Sequence, residues 1–124
     1  AASIITTREW AQAHPDAARA VVSATTEAMN AIAADPQVAI DATAKWDTTL
    51  SDETSLAAAN AVLAATVPLW LGADAHADGV QDPATWSSMV SFLKSIGVLD
   101  GDVDPTVIVS NEYANTADTA SSQS

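Results

Sequence analysis

Cysteine is absent from this chain, and histidine, glycine and basic residues are scarce: two, four and four in 124 positions. Without cysteine there is no disulfide framework, no thiolate nucleophile and no thiolate-bound zinc, and the redox compartment is left open. Four Lys and Arg against sixteen Asp and Glu leave a formal charge of −12. Such a balance speaks against duplex DNA or RNA, whose phosphate counterions are displaced by cations, so no nucleic-acid partner is expected. Docking on an anionic membrane surface is disfavoured for the same reason. No apolar run approaches the roughly eighteen residues of a membrane span, and no basic stretch leads into an apolar signal-peptide core. Gly72, Gly79, Gly97 and Gly101 form neither a dinucleotide-binding nor a Walker pattern, which leaves no phosphate-cradling loop. Hydrophobic residues reach 48%, yet alanine alone fills 28 positions. Large core formers are therefore few, in a chain long enough for one domain burying about two-thirds of its unfolded surface.

What is present is helix punctuation. Proline suits the first helical position, and a preceding Asp accepts from the free amides of the first turn. His14-Pro15-Asp16, Asp35-Pro36 and Asp82-Pro83 write that signal, with Ser51-Asp52-Glu53 as a proline-free version. Thr6 and Glu9 have capping-box spacing ahead of a first short helix. Gly97, following Lys94, stands where a helix should end. Between these marks apolar residues recur at helical period. Trp86, Met89, Val90, Leu93 and Ile96 form one stripe, and Leu56, Leu63 and Val67 a weaker one. Val21, Val22, Ala28, Met29 and Ile32 line a helix expected from Pro15 to about Ala34, and Val38, Ala42 and Trp46 continue the pattern beyond Pro36. Two β-branched stretches, Ser3–Thr6 and Thr106–Val109, read as extended. From Ala114 to Ser124 no large apolar residue occurs, which reads as a disordered tail.

Chemistry finds few footholds here. Asp74, His76, Asp78 and Asp82 echo the spacing of a calcium loop, but the closing position holds Thr85 where a bidentate Glu is required, and His76 offers nitrogen to an oxygen-seeking ion. Asp100, Asp102 and Asp104 alternate similarly, with Pro105 where the turn glycine belongs. Both loops read as solvated acidic turns, and no metal or cofactor is expected. His14 and His76 lie on separate segments, and no serine sits in a G-x-S-x-G elbow, so a self-contained enzyme is not expected. Of the four tryptophans, Trp46 and Trp86 fall on apolar stripes and are expected in the core. Trp10 is placed to cover the strand before it. Trp70 follows the expected end of its helix and is the best placed to be exposed, where it could stack on a planar ligand; packing under a loop is the commoner fate.

The order of segments adds a resemblance. Ile4-Ile5-Thr6-Thr7-Arg8-Glu9-Trp10, then Ala13-His14-Pro15-Asp16, then a long helix ending Ala34-Asp35-Pro36 make up the first half. Pro68-Leu69-Trp70, an acidic loop ending Gly79-Val80, and Asp82-Pro83-Ala84-Thr85-Trp86 follow. Phe92 to Leu99, Val103-Asp104-Pro105 and Asn111-Glu112-Tyr113 close the series. Over roughly residues 3 to 115 this resembles the last third of bacterial ABC-transporter substrate-binding proteins (type 2 periplasmic binding proteins), of the nitrate/sulfonate/taurine or thiamine-pyrimidine-precursor type. Such proteins hold a small organic solute between two α/β lobes and deliver it to an ABC permease.

The resemblance implies a C-terminal piece of that two-lobed fold, mainly α as present, with about five helices and one or two short strands. Residues 1–113 would form the helical portion of one lobe and 114–124 a tail. It implies an extracytoplasmic location, periplasmic or on a cell-surface lipoprotein, with signal peptide and lipid-attachment cysteine in a missing front part. Thr6 and Thr7, at the end of the first strand, would approach the cleft, and Trp70 is carried as the third candidate ligand contact. Self-association of the fragment through unpaired strands is expected. Two other readings stand beside this one: a stand-alone Ala-rich helical interaction or dimerisation module, and a fragment of a fold-related pyrimidine-precursor synthase.

Overall fold

The computed structural model describes residues 3–71 and 75–114. Six α-helices order this part of the chain: α1 (Arg8–Ala13), α2 (Pro15–Ala34), α3 (Gln37–Ala44), α4 (Glu53–Trp70), α5 (Pro83–Ser95) and α6 (Pro105–Ile108). A 3-10 turn, Thr48–Ser51, joins α3 to α4.

Aspartates cap α4, α5, α6 and the 3-10 turn. The first amides of a helix have no partner within it, and a short carboxylate just upstream supplies one. Asp52 accepts from the Ser55 amide at 2.9 Å, and Asp82 from the amides of Ala84 and Thr85 at 3.0 and 3.1 Å. Asp47 does the same for the 3-10 turn, accepting from the Thr49 amide at 2.9 Å. Pro15, Pro83 and Pro105 each open a helix, where a missing N–H costs nothing. At the other end of α5, Gly97 adopts φ +71°. Its amide donates to Lys94 O at 3.1 Å and that of Val98 to Leu93 O at 3.0 Å, the paired closure of a Schellman turn.

Several expectations need correction. Among the described residues there is no strand, so the chain is mainly α without the one or two strands expected. Ser3–Thr6 runs unpaired, and Pro105–Ile108 is a helical turn. Asp104 overrides the β-branched run there: it accepts from both the amide and the hydroxyl of Thr106, at 2.9 and 2.7 Å. Thr7 caps α1, accepting from the Trp10 amide at 3.2 Å, in place of Thr6. α3 stops at Ala44, and Trp46 beyond it is 90% exposed. α4 continues through Pro68 to Trp70, because a proline in the last turn forfeits only one internal hydrogen bond. Trp70 is consequently half-buried. Residues 115–124 of the expected tail lie outside the described residues; Ala114, placed in it, donates to Asn111 O at 3.2 Å in a turn.

α2 is the spine, about 30 Å long at 1.5 Å per residue. α1, α3 and α4 pack on it, and the 3-10 turn wedges between α3 and α4. α5 pairs with α6. That pair is tied to the α2 side by the segment from Ala75 to Asp82 and by long-range side-chain contacts. Arg8 donates from Nη2 to Val107 O at 2.8 Å, and the Arg19 guanidinium lies 5.9 Å from the centre of the Tyr113 ring. Among the described residues the buried set is Ala11, Ala18, Thr26, Ile40 and Ala77, and no large side chain is wholly enclosed. Alanine lets the helices approach closely but removes little apolar surface from water.

Candidate functional site

The best-defined polar construction centres on the segment between α4 and α5. Asn30, on α2, accepts from the Ala77 amide at 2.8 Å and donates to the Ala77 carbonyl at 2.8 Å. Asn111 repeats the arrangement on Gln81, accepting from its amide at 2.7 Å and donating to its carbonyl at 2.9 Å. Between the two clamps Gly79 turns with φ +77°, and a Cβ built on it would sit 3.0 Å from Val22 Cγ1 and 3.2 Å from Thr26 Cγ2. The glycine is required twice, for its backbone angle and for its closeness to α2. Gln81 also accepts from Trp86 Nε1 at 3.0 Å, carrying the clamp into α5. Asn30 interrupts an Ala-rich helix with a residue that disfavours helix interiors, which is the one sequence signal that marks it. Asn111 carries no such signal.

The calcium-like spacing has other uses here. Asp74 lies outside the described residues. His76 Nε2 is 3.4 Å from Asn30 Nδ2, Asp78 accepts from the Val80 amide at 2.8 Å, and Asp82 caps α5. The Asp82 carboxyl is held below its ordinary 3.8 by the Thr85 hydroxyl first and then by the Ala84 and Thr85 amides. Asp47 and Asp104 are lowered in the same way, by the hydroxyl and then the amide of Thr49 and of Thr106. Asp102 is lowered by its hydrogen bond and ion pair with Lys94. All four carboxylates serve helix starts or a surface pair, so none is poised for proton transfer near neutrality.

Of the candidate ligand contacts, Thr6 is exposed and outside any helix, Thr7 is committed to the α1 cap, and Trp70 ends α4. α1 packs along α2 and does not meet α4, so the helices bearing Thr7 and Trp70 do not touch. The other tryptophans also depart from expectation. Trp10 is partly open and stacks on His14 at a centroid distance of 5.0 Å, while Trp46, expected in the core, is the open one. Trp86 is half-buried. A shallow apolar groove of about 270 Å³ runs between α3, the 3-10 turn and α4, lined by Ile40, Thr43, Leu50, Ala59, Val62 and Leu63 among others. It carries no acid, base or metal-binding group, and it could accept only an apolar surface. None of the three candidate contacts lines it. No helix of the described residues is long and apolar enough to cross a membrane. The chain matches no family model, no curated protein and no solved structure.

Proposed function

We propose that the chain is the C-terminal helical part of the solute-binding component of an ABC importer, a non-enzymatic binder of a small organic molecule. It would work outside the cytoplasm with an ABC permease as partner. The observation that carries the reading is α5, whose broad apolar face is covered along one edge and open along the other. Trp86, Val90 and Leu93 are half-buried, whereas Met89, Phe92 and Ile96, at i, i+3 and i+7, lie open, Phe92 by 56%. A helix whose apolar face is wider than its cover leaves room for a further layer, and an α/β lobe would supply that layer as a sheet. Ile4, Ile5, Val98, Val107 and Ile108 are exposed as well, which suits elements that join such a lobe at its margin. The order of capped helices adds the resemblance to the binding-protein family.

The test begins with the coding sequence upstream of Ala1 and compares two forms of the protein. The longer form is expected to be a monomer that binds little hydrophobic dye and gains thermal stability from one member of a panel of small organic solutes. The 124-residue chain is expected to bind the dye and to self-associate. A dye-silent 124-residue chain that unfolds cooperatively as a monomer would end the proposal. A defined dimer of the same kind would favour the helical dimerisation module instead.

A further inference from the structure

The chain contains two Asp-Gly pairs, Asp78-Gly79 and Asp100-Gly101. Among aspartyl dipeptides this is the one most prone to isomerise, because glycine leaves its backbone nitrogen unshielded. The Gly nitrogen attacks the Asp Cγ, a C–N bond forms, and the carboxyl OH leaves with the amide proton as water. Water then reopens the five-membered succinimide at either carbonyl, giving back aspartate or the β-linked isoaspartate of unchanged mass. No co-reactant other than water is needed. Because the immediate chemistry is the same at both pairs, any difference in rate comes from how freely the backbone can bring nitrogen and Cγ together.

The two environments differ sharply. Asp78-Gly79 lies inside the clamped segment. Ala77 is held on both backbone groups by Asn30, Gln81 on both by Asn111, and Gly79 is seated against Val22 and Thr26. The Asp78 carboxylate is itself engaged by the Val80 amide at 2.8 Å. Cyclisation there requires that bond to break and the peptide to rotate against α2. Asp100-Gly101 lies in the connection between α5 and α6, both residues exposed. Nothing stands within 4 Å of a Cβ built on Gly101, and its φ of +89° shows a turn with no neighbour packed against it. Among the described residues the Asp100 carboxylate has no hydrogen bond or ion pair, the nearby ion pair being that of Asp102 with Lys94.

We infer that, of the two Asp-Gly pairs, Asp100 is the isoaspartate-forming site and that the two-asparagine clamp protects Asp78 from the same reaction. The product inserts one extra backbone carbon between α5 and α6 and leaves a free α-carboxylate beside Asp102. It is also the substrate form for methyl transfer to isoaspartyl carboxylates. The inference does not depend on the proposed transport role.

Incubation of the folded chain at neutral pH and body temperature, followed by peptide mapping with isoaspartyl-specific methyl labelling, tests it. Isoaspartate is expected at residue 100 at least about tenfold faster than at 78, since opening the clamped segment breaks several hydrogen bonds. In concentrated urea the two rates should converge. Gly101→Ala is expected to slow the reaction at 100 and leave the rate at 78 unchanged. Equal rates in the folded chain, a faster reaction at 78, or silence at both sites that urea relieves would each overturn the inference.

Discussion

Replacing Gly79 with alanine tests whether the segment before α5 is truly seated on α2. Among the described residues three glycines share a positive φ, +77° at Gly79, +71° at Gly97 and +89° at Gly101, so all three substitutions meet the same left-handed penalty of about 1–2 kcal/mol. Each also stiffens the unfolded chain, which returns about 0.4–1 kcal/mol. At Gly97 and Gly101 the new methyl enters open space, and the net loss should stay near about 1 kcal/mol or less. At Gly79 it would press on Val22 Cγ1 at 3.0 Å and Thr26 Cγ2 at 3.2 Å. Both are branched side chains on a helix, with one preferred rotamer for Val and few for Thr, so relief must come from shifting the clamped backbone. Overpacking of this kind adds about 1–2 kcal/mol, for a total of about 2–3. Urea unfolding of the three variants, followed by far-ultraviolet circular dichroism at equal protein concentration, reads the ranking directly, provided that the slopes agree. If Gly79→Ala costs no more than Gly97→Ala, the segment does not rest on α2 and the reasoning fails.

Other outcomes follow from the same contacts. Asn30→Ala leaves the Ala77 amide and carbonyl without their partner and should cost about 2 kcal/mol in urea unfolding; an effect below a few tenths would mean that water replaces the clamp. Because the Asp82 carboxyl is held below its ordinary 3.8, its stabilising effect is complete above that value and drains away as pH falls through it and below. Asp82→Asn keeps a capping oxygen but takes up no proton, so its stability should fall less steeply than that of the parent from about pH 5 to pH 3. A parallel decline in thermal melts would refute the assignment. Phe92→Ser, on the open flank of α5, should lower dye binding and self-association with little change in melting temperature, and a large drop in melting temperature would show that Phe92 is already packed.

Helix starts were legible in the sequence because they are local chemistry. Pro15, Asp52, Asp82 and the Gly97 stop act within one turn of chain, and the structure uses each of them as read. Misreadings arose where two local signals competed. At Thr106–Val109 β-branching pointed to a strand, while Asp104 with Pro105 pointed to a helix, and two hydrogen bonds to Thr106 decided for the helix. The helix before Trp70 is expected to end short of it, but α4 accommodates Pro68 in its final turn and runs on to Trp70. The tryptophans were misplaced for a different reason. A stripe tells which residues share a face but not whether anything covers it, so Trp46 extended a pattern that its helix abandons at Ala44. The asparagine clamps were illegible because they join residues 47 and 30 positions apart, and nothing at Ala77 or Gln81 advertises a partner.

Those clamps bear on aggregation. A length of chain with free amides and carbonyls is a template on which another chain can lay a strand. Asn30 and Asn111 occupy both backbone groups of Ala77 and of Gln81, as a neighbouring strand would, while Gly79 bends the line between them. At Ala77 and Gln81 the backbone is therefore closed to intermolecular pairing although neither belongs to a strand, whereas the Ser3–Thr6 stretch stays unpaired and open to it.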